Sequence, residues 1–159
     1  MPSKPTAAPV VELADDSKSR LRLWLRLLSV SRMVEGRLRE NLRTEFASTL
    51  PRFDVMSALA RYPNGIKMTE LSAVLRVSNG NITGLIDRLV DEGFAKREAV
   101  PGDRRAHCVL LTKDGYAQFA AMATAHAGWI SELFEEFDED QSAELSEVLK
   151  PLQEKLSAR

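Results

Sequence analysis

The sequence contains little of what disulfide-stabilised, metal-stabilised or membrane-spanning proteins need. Its 159 residues include a single cysteine, Cys108, and two histidines, so a disulfide framework is excluded and a structural zinc site lacks ligands. Eight glycines and seven prolines are too few for a low-complexity chain. No run of about 18 apolar residues occurs. The N-terminal residues lack the basic-then-apolar order of a signal peptide, so we expect a soluble cytoplasmic protein.

The residue patterns of enzymes and cofactor-binding proteins are also missing. The sequence has no glycine-rich phosphate loop, no spacing of metal ligands, and no nucleophile accompanied by a base and an orienting group. We therefore expect no enzymatic activity, no metal ion and no cofactor.

Charge is distributed unevenly along a chain whose formal net charge is −1. Residues 17–50 hold eight basic and three acidic residues, whereas residues 116–159 hold three basic and nine acidic residues. The first two-thirds of the chain is net basic, which suits a protein that binds nucleic acid, and the acid lies at the far end. This asymmetry by itself also fits solvated helix faces that simply differ in charge.

Apolar residues spaced by three and four predict a mostly helical protein. The pattern predicts one long helix over residues 17–46, a second from Pro51 to a stop at Tyr62, and a third from Thr69 to Leu75 or Arg76. A fourth, capped by Ser78, runs from Asn79 to Glu92 and ends at Gly93. Thr112 caps a fifth helix, and residues 138–140 start a last helix that we expect Pro151 to kink.

Two strand-like runs, residues 94–99 and 107–111, follow the fourth helix and predict a β-hairpin. Residues 100–106 between them predict a long loop with a basic tip. Two short helices joined by a tight turn and followed by a hairpin are typical of a winged helix-turn-helix. The predicted fold class is therefore mostly α with a small β-hairpin wing, a winged helix-turn-helix domain plus a helical dimerisation domain.

The fourth helix is the candidate DNA-reading element, because the second helix of such a unit enters the major groove. Short polar side chains that can bond base edges or phosphates lie at its N-terminal end: Ser78, Asn79, Asn81 and Thr83. An arginine of the wing tip, Arg104 or Arg105, suits a narrow A·T minor groove. Local explanations stay open, because the polar residues also suit helix capping and Asp103 with Arg105 also suits a loop ion pair contributing ~0–1 kcal/mol.

From about Arg20 to Leu156, the sequence resembles the MarR family of bacterial transcription regulators. The resemblance rests on residues 68–78, 82–89 and 92–97, and most specifically on the acid-any-arginine pattern at 103–105 followed by Leu-Thr-x-x-Gly at 111–115. It implies an obligate homodimer on a pseudo-palindromic operator, with Asp103 and Arg105 bracing a wing whose arginine enters the minor groove. The candidate DNA-binding residues are Ser78, Asn79, Asn81, Thr83, Arg88, Asp103, Arg104 and Arg105.

The resemblance also implies a small-molecule effector, because family members respond to aromatic acids, acyl-CoA thioesters or oxidants. An aromatic carboxylate or its CoA thioester would use the arginine-rich first helix through charge-assisted bonds. The candidate ligand-binding residues are Trp24, Leu28, Arg32, Met33, Arg52, Met56, His126 and Trp129. The same arginines also suit DNA phosphates or the acidic C-terminal segment of a partner chain. Cys108 lies in a wing strand, and we expect it to be buried and inert.

The first helix and the last two helices have apolar faces that one winged domain cannot cover, which predicts burial against a second copy. Packing of these helices within one chain is the alternative.

The predicted domains are a flexible tail over 1–16, a helical dimerisation region over 17–50 and 112–159, and a DNA-binding domain over 51–111. The predicted function is a homodimeric repressor released from its operator by the effector. The alternative function is a winged-helix protein-interaction module without specific DNA binding.

Overall fold

The computed structural model describes residues 14–100 and 103–158, with all side chains in these ranges except those of Asn79, Val100 and residues 103–106. Most of the described chain is helical, as the sequence predicts, and three short strands form one sheet, which contains the two strands of the predicted hairpin and one further short strand. The elements in chain order are α1 (Asp15–Phe46), α2 (Leu50–Ala60), β1 (Ile66–Lys67), α3 (Met68–Leu75), α4 (Asn79–Asp91), β2 (Ala95–Val100), β3 (Asp103–Leu111), α5 (Lys113–Leu133) and α6 (Glu139–Ser157). The tail proposed for residues 1–16 lies mostly outside the described residues.

The chain divides into two compact units, one ending at Arg37 and the other beginning at Leu38. The described part of the first unit is the N-terminal portion of α1, which starts with Asp15 and Asp16, where negative charge favours the helix dipole. None of the described side chains in this unit is buried. Most of its large apolar side chains are instead exposed, with Trp24 54% exposed and Met33 69% exposed.

The second unit contains the hydrophobic core. Side chains from the end of α1, from α2 to α5 and from the sheet meet there, and ten of them are less than 2% exposed: Leu42, Val55, Met56, Leu59, Leu71, Ile82, Ile86, Leu89, Val109 and Met122. This core holds α3, α4 and the sheet together. Every described residue of α6 is exposed.

Local capping explains where several helices begin. The Thr49 hydroxyl accepts a hydrogen bond from the Arg52 amide, and Pro51 sits in the first turn of α2, where its missing N–H costs nothing. Asp138 and Gln141 form a reciprocal capping box at the start of α6. Helix α6 continues through Pro151.

The sheet has the order β1-β3-β2, and both pairs of strands are antiparallel. Here the structure corrects the prediction of a long loop over residues 100–106, because pairing continues to Val100 and Asp103. The register shifts between Ala99, which pairs with His107, and Val100. Antiparallel backbones pair whatever charge their side chains carry, because the hydrogen bonds between strands join backbone groups. The wing is therefore longer and more strand-like than its charged sequence indicates.

Candidate nucleic-acid interface

Helix α4 has one fully buried face and one exposed polar face. Ile82, Ile86 and Leu89 are 0% exposed and anchor the helix in the core. The other side presents small and polar residues to solvent, namely Gly80, Asn81, Thr83, Gly84 and Arg88. The anchored face fixes the helix while the polar face is exposed to solvent, which is the arrangement that a DNA-reading helix requires.

The N-terminus of α4 has unused hydrogen-bonding capacity. Ser78 is the N-cap residue in extended conformation, yet its hydroxyl makes no capping hydrogen bond. Its carbonyl accepts from the amides of Asn81 and Ile82, at 3.2 and 3.4 Å. Capping therefore does not account for the Ser78 side chain. The amides of the first helical turn carry partial positive charge, which favours a phosphate at this end of the helix.

Two glycines leave the exposed face of α4 open. A Cβ atom added at Gly80 or Gly84 would meet nothing within 4 Å. The packing of the free protein therefore does not require glycine at either position, although glycine weakens a helix interior by about 1 kcal/mol relative to alanine. Their absence of side chains allows another molecule to approach the helix backbone closely.

The turn between α3 and α4 is set by Arg76, which adopts the left-handed conformation with φ of 54°. Its amide and that of Val77 bond the carbonyls of Ala73 and Ser72, closing the end of α3. The guanidinium Nη2 of Arg76 also lies 3.4 Å from the Ser157 hydroxyl near the end of α6.

An ion pair connects α4 to the wing. Arg97 of β2 and Asp87 of α4 are joined by a hydrogen bond of 2.5 Å between Nη2 and Oδ1. Neither residue is among the DNA-binding residues predicted from the sequence, although both lie within the segments that carry the family resemblance. The pair is therefore a direct side-chain contact between α4 and the first strand of the wing.

Arg52, a predicted ligand-binding residue, is engaged within the winged domain. Its guanidinium makes two hydrogen bonds to the Glu92 carboxylate just after α4, and it lies 5.6 Å from the centre of the Phe94 ring. The hydrogen bond from Arg52 lowers the pKa of Glu92, and partial burial opposes this effect. This contact attaches the C-terminal end of α4 to α2.

The start of α5 packs against Gly93 and Phe94, the residues that follow α4. The Thr112 hydroxyl donates to the Gly93 carbonyl at 2.6 Å and accepts from the Gly115 amide at 3.0 Å. A Cβ atom at Gly115 would overlap the Phe94 carbonyl oxygen and lie 2.8 Å from its carbon. The Leu-Thr-x-x-Gly pattern therefore joins α5 to the residues that follow α4, a structural role that the sequence pattern alone does not indicate.

The structure brings some of the predicted ligand-binding residues together. The His126 ring stacks on Phe53 with centroids 4.7 Å apart, and Trp129 approaches His126 edge-on at 6.4 Å. Met56 is completely buried in the core of the same unit. The remaining candidates, Trp24, Leu28, Arg32 and Met33, belong to the first unit, where Leu28 is half-buried and the others are exposed.

Several predicted features are only partly visible. The side chains of Asn79, Asp103, Arg104 and Arg105 lie outside the described residues, although the backbone of 103–105 belongs to β3. Cys108 is half-buried rather than fully buried, because it lies in a strand of a three-stranded sheet, and its thiol contacts the Glu98 carbonyl at 3.5 Å.

Among the described residues, no cluster of three His, Cys, Asp or Glu side chains could hold a metal ion. No helix in the same part of the chain is long and apolar enough to span a membrane.

The helix pair α3–α4 with its tight turn, followed by the β2–β3 hairpin, defines a winged helix-turn-helix DNA-binding protein. A sequence model of the MarR family matches residues 48–107. The multiple antibiotic resistance protein MarR of Escherichia coli K12 is 31% identical over 106 residues, which cover 63% of this chain and 73% of that protein. The chain belongs to the MarR family of winged-helix transcriptional regulators.

Solved structures agree with this assignment. The crystal structure of a MarR family transcriptional regulator from Silicibacter pomeroyi is 31% identical and matches with a TM-score of 0.75 over 91% of this chain and 99% of that chain. A mutant of MarR from E. coli complexed with operator DNA is 27% identical and matches with a TM-score of 0.73, over 87% of this chain and 99% of that one.

Proposed function

We propose that this chain is a homodimeric repressor that binds a pseudo-palindromic operator and is released from it by a small anionic ligand. The observation that carries the proposal is the two-faced helix α4, with Ile82, Ile86 and Leu89 buried and a polar, glycine-containing face exposed. A surface of this kind suits the major groove, and the neighbouring wing suits the adjacent minor groove.

The residues divide between base reading and backbone contacts. Ser78, Asn79, Asn81 and Thr83 are proposed to bond base edges or phosphates at the N-terminal end of α4. Arg88, further along the same helix, is suited to a phosphate. In the wing, Asp103 and Arg105 are proposed to brace the tip while Arg104 or Arg105 enters the minor groove.

Dimerisation is proposed through the helical regions 17–50 and 112–159. Exposed apolar side chains in α1, such as Leu21 and Leu25, and in α6, such as Leu152 and Leu156, support this proposal. Apolar surface on this scale marks interaction sites in soluble proteins. Two copies would present two recognition helices to the two halves of a palindromic site.

The proposed effector is an aromatic carboxylate or its CoA thioester. Arg32 lies on the same face of α1 as Leu25 and Leu28, since spacings of three and four residues share a helix face. A cation within an apolar stripe suits an aromatic anion. The aromatic cluster of Phe53, His126 and Trp129, in which His126 is half-buried and the other two rings are buried, is proposed as a second contact for an aromatic ligand.

Fluorescence anisotropy tests the proposal directly. The purified protein is titrated onto duplex DNA from upstream of its own gene and onto random duplex of equal length, with and without aromatic acids and their CoA thioesters. We expect preferential binding to the upstream duplex, a steep loss of affinity with salt, and release by one compound class. Equal affinity for the two duplexes would contradict the proposal and favour the protein-interaction module.

A pair of double variants separates specific from general charge effects. Replacing Arg104 and Arg105 with alanine should lower operator affinity by several orders of magnitude at physiological salt, because groove and phosphate contacts are lost together. Replacing Arg61 and Lys67 with alanine removes the same charge from exposed positions outside the proposed DNA contacts and dimerisation regions, and it should leave affinity unchanged. Wild-type affinity in the wing variant would contradict the role given to the wing.

A further inference from the structure

Arg76 occupies a backbone position that favours glycine. It ends α3 in the left-handed conformation, with φ of 54°, which residues with a side chain rarely adopt. The backbone amides of Arg76 and Val77 close the helix end, so the arginine side chain is not needed for capping. Glycine would adopt this conformation without strain. The turn itself therefore does not explain an arginine here, and the explanation lies in what its side chain contacts.

The side chain of Arg76 reaches the last turn of α6. Its guanidinium Nη2 donates a hydrogen bond to the Ser157 hydroxyl at 3.4 Å, across 81 positions of the chain. Both residues are exposed, and Arg76 makes no ion pair within residues 14–100 and 103–158 as the structure describes them. The Ser157 hydroxyl is therefore a polar partner that the structure gives this guanidinium.

The contact is part of a longer approach of α6 to the turn between α3 and α4. Arg76 lines a groove of about 310 Å³ whose other lining residues belong to the C-terminal half of α6: Leu149, Leu152, Gln153, Leu156 and Ser157. The three leucines are spaced by three and four residues and so share one face of the helix. The last turns of α6 therefore run past the end of α3 in the same chain, and Arg76 crosses the open space between the two helices.

The two ends of α4 are attached differently. Two ion pairs hold its C-terminal part, through Asp87 and Glu92. At the N-terminal end, the Ser78 side chain makes no capping hydrogen bond. Arg76 lies only two residues before Ser78. A contact that holds Arg76 therefore also restrains the start of α4, where the polar side chains proposed to read DNA lie.

We propose that Arg76 is a positioning residue, which couples the C-terminal end of α6 to the DNA-reading end of α4 through its contact with Ser157. The inference rests on the proposed function only in so far as α4 reads DNA. Because α6 lies in the region proposed for dimerisation, the contact gives a physical route by which a displacement of α6 changes the orientation of Ser78 and the residues after it. In this role Arg76 does not touch the DNA. The competing interpretation is that its guanidinium binds a DNA phosphate.

Amide hydrogen exchange in the free protein tests the coupling without DNA. Arg76→Gly removes the guanidinium and keeps the turn, because glycine adopts the left-handed conformation freely. Ser157→Lys places a like charge beside Arg76, and Ser157→Asp offers it a carboxylate. The amides to follow are the hydrogen-bonded ones of this turn, those of Val77, Asn81 and Ile82. We expect them to exchange about fivefold faster in Arg76→Gly and Ser157→Lys, and more slowly in Ser157→Asp.

A double-mutant cycle shows whether the effects at Ser157 pass through Arg76. Each Ser157 variant is measured alone and in the Arg76→Gly background, where no guanidinium remains to be repelled or attracted. We expect the Ser157 variants to have no effect on these amides in that background. Arg61→Ala removes another exposed guanidinium and is the matched control, which should leave exchange in the turn unchanged. Equal effects of the Ser157 variants with and without Arg76 would overturn the inference.

Operator binding separates positioning from a phosphate contact. For a positioning residue, we expect Arg76→Gly to lower affinity for the upstream duplex about fivefold, with affinity for random duplex and the salt dependence unchanged. Ser157→Lys should lower operator affinity only when Arg76 is present.

A phosphate contact has a different signature in the same titrations. Arg76→Gly would then weaken binding to both duplexes and reduce the salt slope by about one, while the Ser157 variants would change nothing. That result would overturn the inference and leave the proposed function standing. Equal affinity of the wild-type protein for both duplexes would contradict the proposed function instead, and the exchange measurements would still decide whether α6 is coupled to α4.

Discussion

Arg97 Nη2 lies 2.5 Å from Asp87 Oδ1, so an ion pair joins helix α4 to the first strand of the wing. The two side chains are 36% and 51% exposed, and a pair this accessible contributes about 1 kcal/mol or less to stability. Its larger effect is geometric, because it holds together the two elements proposed to enter adjacent grooves.

Replacing Asp87 with asparagine should weaken operator binding more than folding. We expect the operator dissociation constant to rise about tenfold, equivalent to about 1.4 kcal/mol, while the free energy of unfolding falls by about 1 kcal/mol or less. Anisotropy and urea unfolding measure the two effects. Asp91→Asn is the matched control, because Asp91 is exposed on the same helix and makes no ion pair with a described residue. Equal affinities of the two variants would contradict the bracing role.

Two glycines of α5 should respond oppositely to alanine. Gly115→Ala should lower the free energy of unfolding by about 2 kcal/mol or more, because the new Cβ overlaps the Phe94 carbonyl. Gly128 has nothing within 4 Å of its added Cβ, so Gly128→Ala should raise stability by up to about 1 kcal/mol. Thermal unfolding checks both. A stable Gly115→Ala variant would show that the junction between α5 and the turn after α4 is not tightly packed.

Alanine at Gly84 should separate stability from DNA affinity. The added Cβ meets nothing in the free protein, so stability should rise by up to about 1 kcal/mol. Operator affinity should fall about tenfold if DNA approaches the α4 backbone at this point. Gly36→Ala in α1 is the control, because its Cβ also meets open space and it lies far along the sequence from α4. Unchanged operator affinity for Gly84→Ala would show that DNA does not approach the α4 backbone closely at this position.

The Arg52–Glu92 contact predicts a pH-dependent contribution to stability. The hydrogen bond from Arg52 lowers the pKa of Glu92 in the folded state below its unfolded value of about 4.3. A lowered folded pKa gives stability that is present above the unfolded pKa and lost as the pH falls through the folded pKa. Glu92→Gln should therefore be less stable than wild type at pH 7, and the difference should shrink as the pH falls below about 4.3. The same deficit at pH 3 as at pH 7 in urea unfolding would contradict this linkage.

The elements of the fold follow closely from local sequence signals. Helix α4 is predicted over 79–92 in spite of two interior glycines, because Ile82, Ile86 and Leu89 keep helical spacing, and the structure has it over Asn79–Asp91. The wing is less accurately predicted. Its charged residues have no alternating pattern, whereas the pairing that extends it to Val100 and Asp103 is made by backbone groups.

The structural roles that could not be predicted from the sequence depend on contacts between residues that are distant in the chain. Arg52 and Glu92 are separated by 40 positions, so nothing local distinguishes Arg52 as a structural residue from an arginine that is free to bind a ligand. The sequence shows only that Gly115 belongs to a motif. Glycine is required there because a side chain would overlap the carbonyl of Phe94, which packs against the start of α5. The location of the polar side chains at the start of α4 could be predicted, because the helix start and the residue types there are both read from a short stretch of sequence.

We expect the surface formed by α4 and the wing to recognise one operator. A DNase I footprint titration at physiological salt, on a fragment of several hundred base pairs from upstream of the gene, measures this recognition along the DNA. We expect one protected segment with two-fold symmetry, which fills at protein concentrations far below those that protect the flanking DNA. Protection that rises evenly along the whole fragment would contradict operator recognition by this surface.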